Sequence, residues 1–289
     1  MNTYGRFNSL INEPYILNRF NNNDNFVPEI ISSFQDYENM YLITTFYDGP
    51  TLGYFKNKYL SEEQIKFISA CIVQSFKNIR HYKIIHRDLT YLNVIMDKNN
   101  YFNLIDFSFS IDFDHRKLRN LKCNINRDDT PPEIRYNRDY TYNSDYYRLG
   151  HLILFLIFKQ YPFVYKKIKS RIKLNKINKI KSNYSIELFN FVNGLLKKNI
   201  KNRLGYRDID ELMNHPWFNG FNWEKLEKKQ IISPFNITKM KVNDKVCKRF
   251  DKKLEYAKKY LFIRNSKYKA NLIKILNMIF EFSKYDINK

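Results

Sequence analysis

Alanine is nearly missing from this 289-residue chain, with three residues, and glycine is scarce at seven. No glycines cluster, so the chain as given offers no Gly-rich loop in which backbone N–H groups could cradle phosphates. The three cysteines (Cys71, Cys123, Cys247) are far apart and odd in number. That excludes a disulfide framework and a CxxC metal site, and fits a reducing compartment. No stretch approaches the ~20 apolar residues that span a bilayer; the longest fully apolar run is Leu152 to Phe158. Residues 1–25 are polar and Asn-rich, without the apolar segment of a signal peptide or an Arg-rich amphipathic helix. No membrane span and a cytoplasmic or nuclear location are therefore expected. Acidic residues are in deficit, 29 against 50 Lys plus Arg, for a net charge of +21 and a pI near 9.6. Basic charge can mark a nucleic-acid or acidic-membrane partner, but the 36 Asn and 35 Lys share AT-rich codons, and a base bias would give the same charge with no partner at all. No nucleic-acid-binding motif is present, and no specific nucleic-acid partner is expected.

What is there supports a folded protein. At 44% apolar residues the chain can bury a sizeable core, and its length suits one large domain or two small ones. Apolar residues at Phe7, Leu10, Ile11, Tyr15, Leu17 and Phe20 predict a helix over Phe7–Phe20, with Pro14 as a kink or restart. Strands are predicted at Val27–Phe34 and Met40–Phe46, joined by the polar turn Gln35 to Asn39, and Gly49-Pro50 breaks the chain. Ser61-Glu62-Glu63-Gln64 is a capping box opening a helix that extends to about His81. Short strands flank segment 84–107, and residues 145–218 read mainly as helices. The basic run Lys166 to Lys181, with eight Lys or Arg, reads as a solvated face. Spacing at Leu272, Ile275, Leu276, Ile279 and Phe280 predicts an amphipathic helix in the tail, able to cover exposed strands.

One segment carries the chemistry: Ile85-His86-Arg87-Asp88-Leu89-Thr90-Tyr91-Leu92-Asn93-Val94, followed by Leu104-Ile105-Asp106-Phe107-Ser108. It resembles the catalytic loop H-R-D-L-x-x-x-N and the metal-binding D-F-G of eukaryotic protein kinases. Phosphoryl transfer demands positioning and charge neutralisation more than covalent help. The resemblance implies that Asp88 orients the attacking hydroxyl and accepts its proton. It implies that Asn93 and Asp106 give hard oxygen ligands to Mg2+ on ATP. His86 is implied to be a packing residue beneath Phe107.

Further matches extend the likeness over about residues 7–235. Pro131-Pro132-Glu133 resembles the A-P-E closing an activation segment. Asp145-Tyr146-Tyr147-Arg148-Leu149-Gly150 resembles D-x-W-x-x-G, with Tyr147 in place of the Trp. By this resemblance Asp145 braces the catalytic loop and Arg203 forms a buried ion pair with Glu133. Asn202-Arg203-Leu204-Gly205, His215-Pro216-Trp217-Phe218, Phe221 to Leu226 and Ser233-Pro234-Phe235 are similar to the end of AGC-type serine/threonine kinases. Phe250-Asp251 and Phe280-Glu281-Phe282-Ser283 echo the tail of that group. Upstream, Ile11-Asn12-Glu13, Ser33 to Asp36, Met40 to Ile43 and Gly49 resemble its C helix, strands four and five, and hinge. Glu13 and Leu17 are implied to be structural, as is Arg87. Thr44, Phe46 and Tyr47 of the hinge, with Asn93 and Ile95, are implied to contact the nucleotide.

The departures define the alternative. Residues 1–12 contain no lysine to partner Glu13. Ser108 stands for the DFG glycine and Thr90 for the catalytic-loop lysine. Leu92 and Thr51 replace the acids of Arg-directed members. Ile111 to Asp129 holds no Ser, Thr or Tyr, so Asp128 or Asp129 is expected to substitute for a phosphate at Arg87. The expected fold is α+β: a protein-kinase-like fold with an incomplete small β lobe (1–50), a mainly helical large lobe (51–218) and an AGC-type tail (219–289). The expected function is that of a serine/threonine protein kinase-like protein acting on a protein substrate. Lacking the nucleotide clamp, the chain is alternatively a pseudokinase that binds a protein partner without catalysis.

Overall fold

The computed structural model describes residues 12–21, 25–35, 40–113, 129–136, 139–159 and 183–237. Residues 12–17 are helical (α1). Pro14 lies inside this helix, and its carbonyl accepts the Asn18 N–H at 3.0 Å. α1 stops short of Phe20 because the chain tightens: Arg19 and Phe20 N–H donate to the Ile16 and Leu17 carbonyls, an i→i−3 turn. Ile16, Leu17 and Phe20 are buried in the common core. Strands β1 (Ile30–Gln35) and β2 (Met40–Thr44) pair antiparallel, with Gln35 opposite Met40 and a bulge between Ile30 and Ser32. β1 begins three residues later than its apolar pattern suggests, since Pro28 has no N–H to offer a ladder.

α2 (Glu62–His81) is the central helix. Its capping box is present, with the Gln64 N–H donating to Ser61 Oγ at 3.2 Å and the Ser61 N–H to Gln64 Oε1 at 3.1 Å. Ile65, Ile68, Ile72, Phe76 and Ile79 form its buried stripe. Short antiparallel pairs follow: β3 (Ile84–Ile85) with β6 (Ile111–Asp112), and β4 (Val94–Met96) with β5 (Phe102–Leu104). After β2 the chain joins β4. Gly49 N–H donates to the Met96 carbonyl at 3.1 Å and Met96 N–H to the Pro50 carbonyl at 3.0 Å. A side chain at position 49 would lie 2.6 Å from the Met96 oxygen, so this approach requires glycine.

The remaining elements are α3 (Pro132–Arg135), α4 (Tyr142–Phe158), α5 (Ile186–Leu195), α6 (Asp210–Met213) and α7 (Trp223–Glu227). α4 is buried along most of its length and packs against α2 and α5. After α7, Phe235 inserts edge-on against Phe55 and Phe102. Lys229 donates to Asp97 at 2.7 Å, fastening this segment beside β4. Among the described residues no helix is long and apolar enough to cross a membrane. The basic run 166–181 and the tail beyond residue 237 lie outside the described residues.

The short helix α3 is fixed by charge. Arg203 donates two hydrogen bonds to Glu133, at 2.8 and 2.9 Å, with both side chains buried. Its remaining donors reach the carbonyls of Asn143 (2.8 Å) and Lys197 (3.1 Å), and Ser144 Oγ donates to Glu133 Oε1 at 2.9 Å. Burial alone would push the Glu133 carboxyl up. The hydrogen bonds and charge of Arg203, with the Ser144 hydroxyl, outweigh it and hold the pKa below its ordinary 4.5.

Arg203→Ala leaves Glu133 buried and uncompensated, and is expected to destabilise the fold by about 3–5 kcal/mol in urea unfolding at pH 7. A depressed carboxyl stabilises the native state fully above its unfolded pKa, and that stabilisation is lost as pH falls through the lower native value. The wild-type stability lead over Arg203→Ala should therefore shrink below about pH 4.5, the ordinary Glu value. An equal gap at pH 7 and pH 3 would show that the pair is not the source of the loss.

Candidate active site

The site is assembled on the loop between β3 and β4. Asp145, in the first turn of α4, takes the His86 N–H at 2.7 Å and the Arg87 N–H at 2.8 Å. Aiming two successive N–H groups at one carboxylate bends the loop back, and Arg87 adopts a left-handed φ of 70°. Such a residue costs about 1–3 kcal/mol and persists only when its surroundings over-determine it. Arg87 is buried, and its guanidinium lies 4.4 Å from the Tyr140 ring centre. His86 packs edge-on to Phe107 at 4.9 Å. Its Nδ1 accepts the Asp88 N–H at 3.2 Å, so Nε2 carries the proton and donates to the Ile105 carbonyl at 3.1 Å.

Asp88 is partly exposed. Asn93 Nδ2 donates to the Asp88 backbone carbonyl and to Asp88 Oδ2, both at 2.9 Å. Both amide hydrogens are thus engaged, and the amide oxygen is the group left to offer a cation. Thr90 Oγ1 turns inward and accepts the Leu92 (3.1 Å) and Asn93 (3.2 Å) N–H groups, which sets the turn that places Asn93. The Ile105 N–H donates to the Asn93 carbonyl at 2.9 Å, tying the catalytic loop to the Asp106 strand.

Asp106 also has a left-handed φ, 65°. The Ser108 hydroxyl donates to Asp106 Oδ1 at 2.6 Å, and the Ser108 N–H reaches the same oxygen at 3.3 Å. The serine that stands for a glycine is therefore a partner of the carboxylate. Phe107 N–H donates to Glu13 Oε1 at 3.0 Å. Asn12 Nδ2 donates to the carbonyls of Ser108 (3.1 Å) and Ser110 (2.8 Å). α1 thereby grips the backbone on both sides of Phe107, and among the described residues Glu13 meets a backbone N–H rather than a lysine. Burial pushes the Glu13 carboxyl up, the Phe107 N–H pulls it down and the Asp106 charge pushes it further up.

Among the described residues no three His, Cys, Asp or Glu side chains converge to form a metal site by themselves. Asp106 and Asn93 nonetheless offer a carboxylate and an amide oxygen, the hard donors that suit Mg2+ when substrate phosphates complete its shell. The residues fit a cation shared with a nucleotide. Of the expected nucleotide contacts, Ile95 lies on β4, which the 49–51 segment pairs with. Thr44 ends β2. Phe46 is 77% exposed, and Tyr47 is half-buried with its hydroxyl pushed up by burial and by Asp97 and Glu29. Leu17 is buried in the core.

Two residues at the site had no expected role. Asn12 is the residue before Glu13, and its grip on the Ser110 backbone has no sequence signature. Arg148, one turn after Asp145 in α4, is 2% exposed, and its Nη1 lies 3.8 Å from Asp88 Oδ1 and 3.5 Å from Asp129 Oδ2. The signal available was a basic residue inside an apolar helical run. Asp129, one of the two residues expected to substitute for a phosphate at Arg87, lies 3.5 Å from Arg148; Asp128 is outside the described residues.

A catalytic-type loop carrying an Asp–Asn pair, braced from α4 and set beside a second carboxylate, defines a kinase-type site. The protein kinase domain family matches residues 2–218, and the chain belongs to that family, with relatives among AGC-type serine/threonine kinases. It is 29% identical over 234 residues to Serine/threonine-protein kinase AtPK1/AtPK6 of Arabidopsis thaliana, covering 78% of this chain and 49% of that protein. It is 32% identical over 216 residues to Serine/threonine-protein kinase SCH9 of Saccharomyces cerevisiae, covering 73% and 26%. Serine/threonine-protein kinase sgk-1 of Caenorhabditis elegans is 29% identical over 225 residues, covering 73% and 46%. The chain thus spans half or less of the length of these relatives.

Glu13→Gln keeps an oxygen for the Phe107 N–H and removes a half-buried charge facing Asp106. A carboxyl with a raised native pKa stabilises the fold below its unfolded value, and loses that contribution as pH rises through the native one. The variant should melt at the wild-type temperature below pH 4.5, the ordinary Glu value, and at an equal or higher temperature at pH 7. A lower melting temperature at pH 7 would mean that the Glu13 charge is itself stabilising.

Proposed function

We propose that the site transfers a phosphoryl group from ATP to serine or threonine hydroxyls of proteins. The observation that carries this reading is the double hydrogen bond from Asn93 to Asp88, which fixes the carboxylate while leaving it open to solvent. Asp88 Oδ1, turned away from Asn93, is the atom that would accept the proton of an incoming hydroxyl. That proton transfer comes late in a loose transition state, so the main task of Asp88 is to hold the oxygen in line. Asn93 and Asp106 would hold Mg2+ by their side-chain oxygens, and Mg·ATP when bound would supply the transferable phosphoryl group and neutralise its charge. Ser108, donating to Asp106 Oδ1, orients the carboxylate toward that cation. Segment 44–51, leading onto β4, is the stretch that would receive the base.

One observation favours a binding role without catalysis. Glu13 is engaged by the Phe107 backbone N–H, and no basic side chain is paired with it among the described residues. In that reading the lobes present a surface to a protein partner. A single assay separates the two: transfer of radiolabelled phosphate from ATP, with Mg2+, to a serine/threonine peptide library by the 289-residue chain. Transfer that falls about a thousand-fold or more in Asp88→Asn, with the melting temperature unchanged, is the expected result. No transfer by the wild-type chain, or equal transfer by the variant, would favour the binding role.

A further inference from the structure

We infer that Arg148 is a positioning residue for Asp88, and that it ties the catalytic carboxylate to the segment ahead of α3 through Asp129. This rests on the phosphoryl-transfer reading above for its kinetic consequence, though not for its structural one.

The geometry is a cation held between two carboxylates. Arg148 Nη1 lies 3.5 Å from Asp129 Oδ2 and 3.8 Å from Asp88 Oδ1, with the Arg148 side chain 1% exposed and Asp129 4%. Asn93 holds the other Asp88 oxygen, Oδ2. Asp88 is therefore gripped at Oδ2 by a hydrogen bond and at Oδ1 by charge. At 3.8 Å the Oδ1 contact to Arg148 is electrostatic and not a hydrogen bond.

Three features set Arg148 apart from an ordinary structural arginine. Its Nε and Nη1 are buried without a hydrogen bond among the described residues, an expensive arrangement that calls for a reason. Its nearest neutralising partner, Asp129, is at the start of the described stretch leading into α3, not on a helix of the core. It stands on the same helical turn region as Asp145, so one rigid element sets both the backbone of the loop and the orientation of its carboxylate. His151, next along this face, is pushed down to about 4 by burial, with Asp129 pulling it back up; it is neutral at pH 7 and does not provide the charge. Facing one buried guanidinium, Asp88 and Asp129 are tied to each other electrostatically through Arg148.

The test has two arms on the full 289-residue chain. In the kinetic arm, Arg148→Met should lower kcat at least about ten-fold with KM for ATP within about two-fold, and Arg148→Lys should recover most of the loss, because a point charge suffices at this distance. Asp129→Asn should lower kcat with KM for ATP likewise unchanged. In the stability arm, Asp129→Asn should shift the urea midpoint more in the wild type than in the Arg148→Met background, as coupled residues do. Unchanged kcat in Arg148→Met, or equal shifts of the midpoint in both backgrounds, overturns the inference. If the wild-type chain transfers no phosphate, the failure is that of the phosphoryl-transfer reading, and the stability arm alone decides whether Arg148 ties Asp129 into the site.

Discussion

Two hydrogen bonds to Asp145 hold the site together. A carboxylate at the start of α4, 2% exposed, takes the N–H groups of His86 and Arg87. Burial pushes its carboxyl up by more than His86, the two N–H groups and Arg148 pull it back down. The gain from two charge-assisted bonds at a helix N-terminus offsets the strain of a left-handed Arg87. Once Arg87 is turned, the following residues have little freedom: the Asp88 N–H falls on His86 Nδ1, Thr90 caps its own turn, and Asn93 returns to Asp88. The Ser110 hydroxyl adds a hydrogen bond to the His86 carbonyl at 3.2 Å, at the same entry.

The loop then organises its neighbours. The Asn93 carbonyl receives the Ile105 N–H and the His86 ring supports Phe107, so the Asp106 segment is positioned by the loop it serves. From the other side α1 grips the same segment through Asn12 and Glu13. Arg19 and Tyr15 reach Asp112 on β6, extending that grip to the strand that follows. The short α1 and the large helical body therefore meet at the backbone around Phe107, and a movement of either is felt at Asp106.

Much of this was legible in the sequence, for a physical reason. The loop is a local solution whose residues must be close in sequence, so the resemblance that singles out Asp88, Asn93 and Asp106 is carried by short, contiguous motifs. The capping box at Ser61 and Gln64 is local in the same sense and reads directly. Glu133 and Arg203 are 70 residues apart, and only a resemblance, not spacing, could pair them. The partners of Asn12 and Ser108 were not legible, because one is a long-range bond to backbone, which carries no side-chain identity. Position 108 was read as a lost glycine, whereas its hydroxyl makes a bond that glycine cannot. Arg148 had no role in the sequence reading, because no local pattern tells which way a basic residue three positions from Asp145 faces; the packing shows that it points inward.

The two buried arginines show how one kind of residue serves two purposes. Arg203 meets Glu133 with two bonds, spends its other donors on carbonyls, and lies over the Tyr147 ring at 4.9 Å. All its needs are met by groups fixed in the core, so it has one position and fixes α3 there. Arg148 is buried as deeply but meets its carboxylates at 3.5 and 3.8 Å, with nitrogens left unbonded among the described residues. A cation so placed is attracted to both carboxylates and locked to neither, since at such distances charge still acts while hydrogen-bond direction does not. Full satisfaction makes an anchor. Partial satisfaction leaves a group able to respond when one of its partners moves, and in this fold that group is the one beside Asp88.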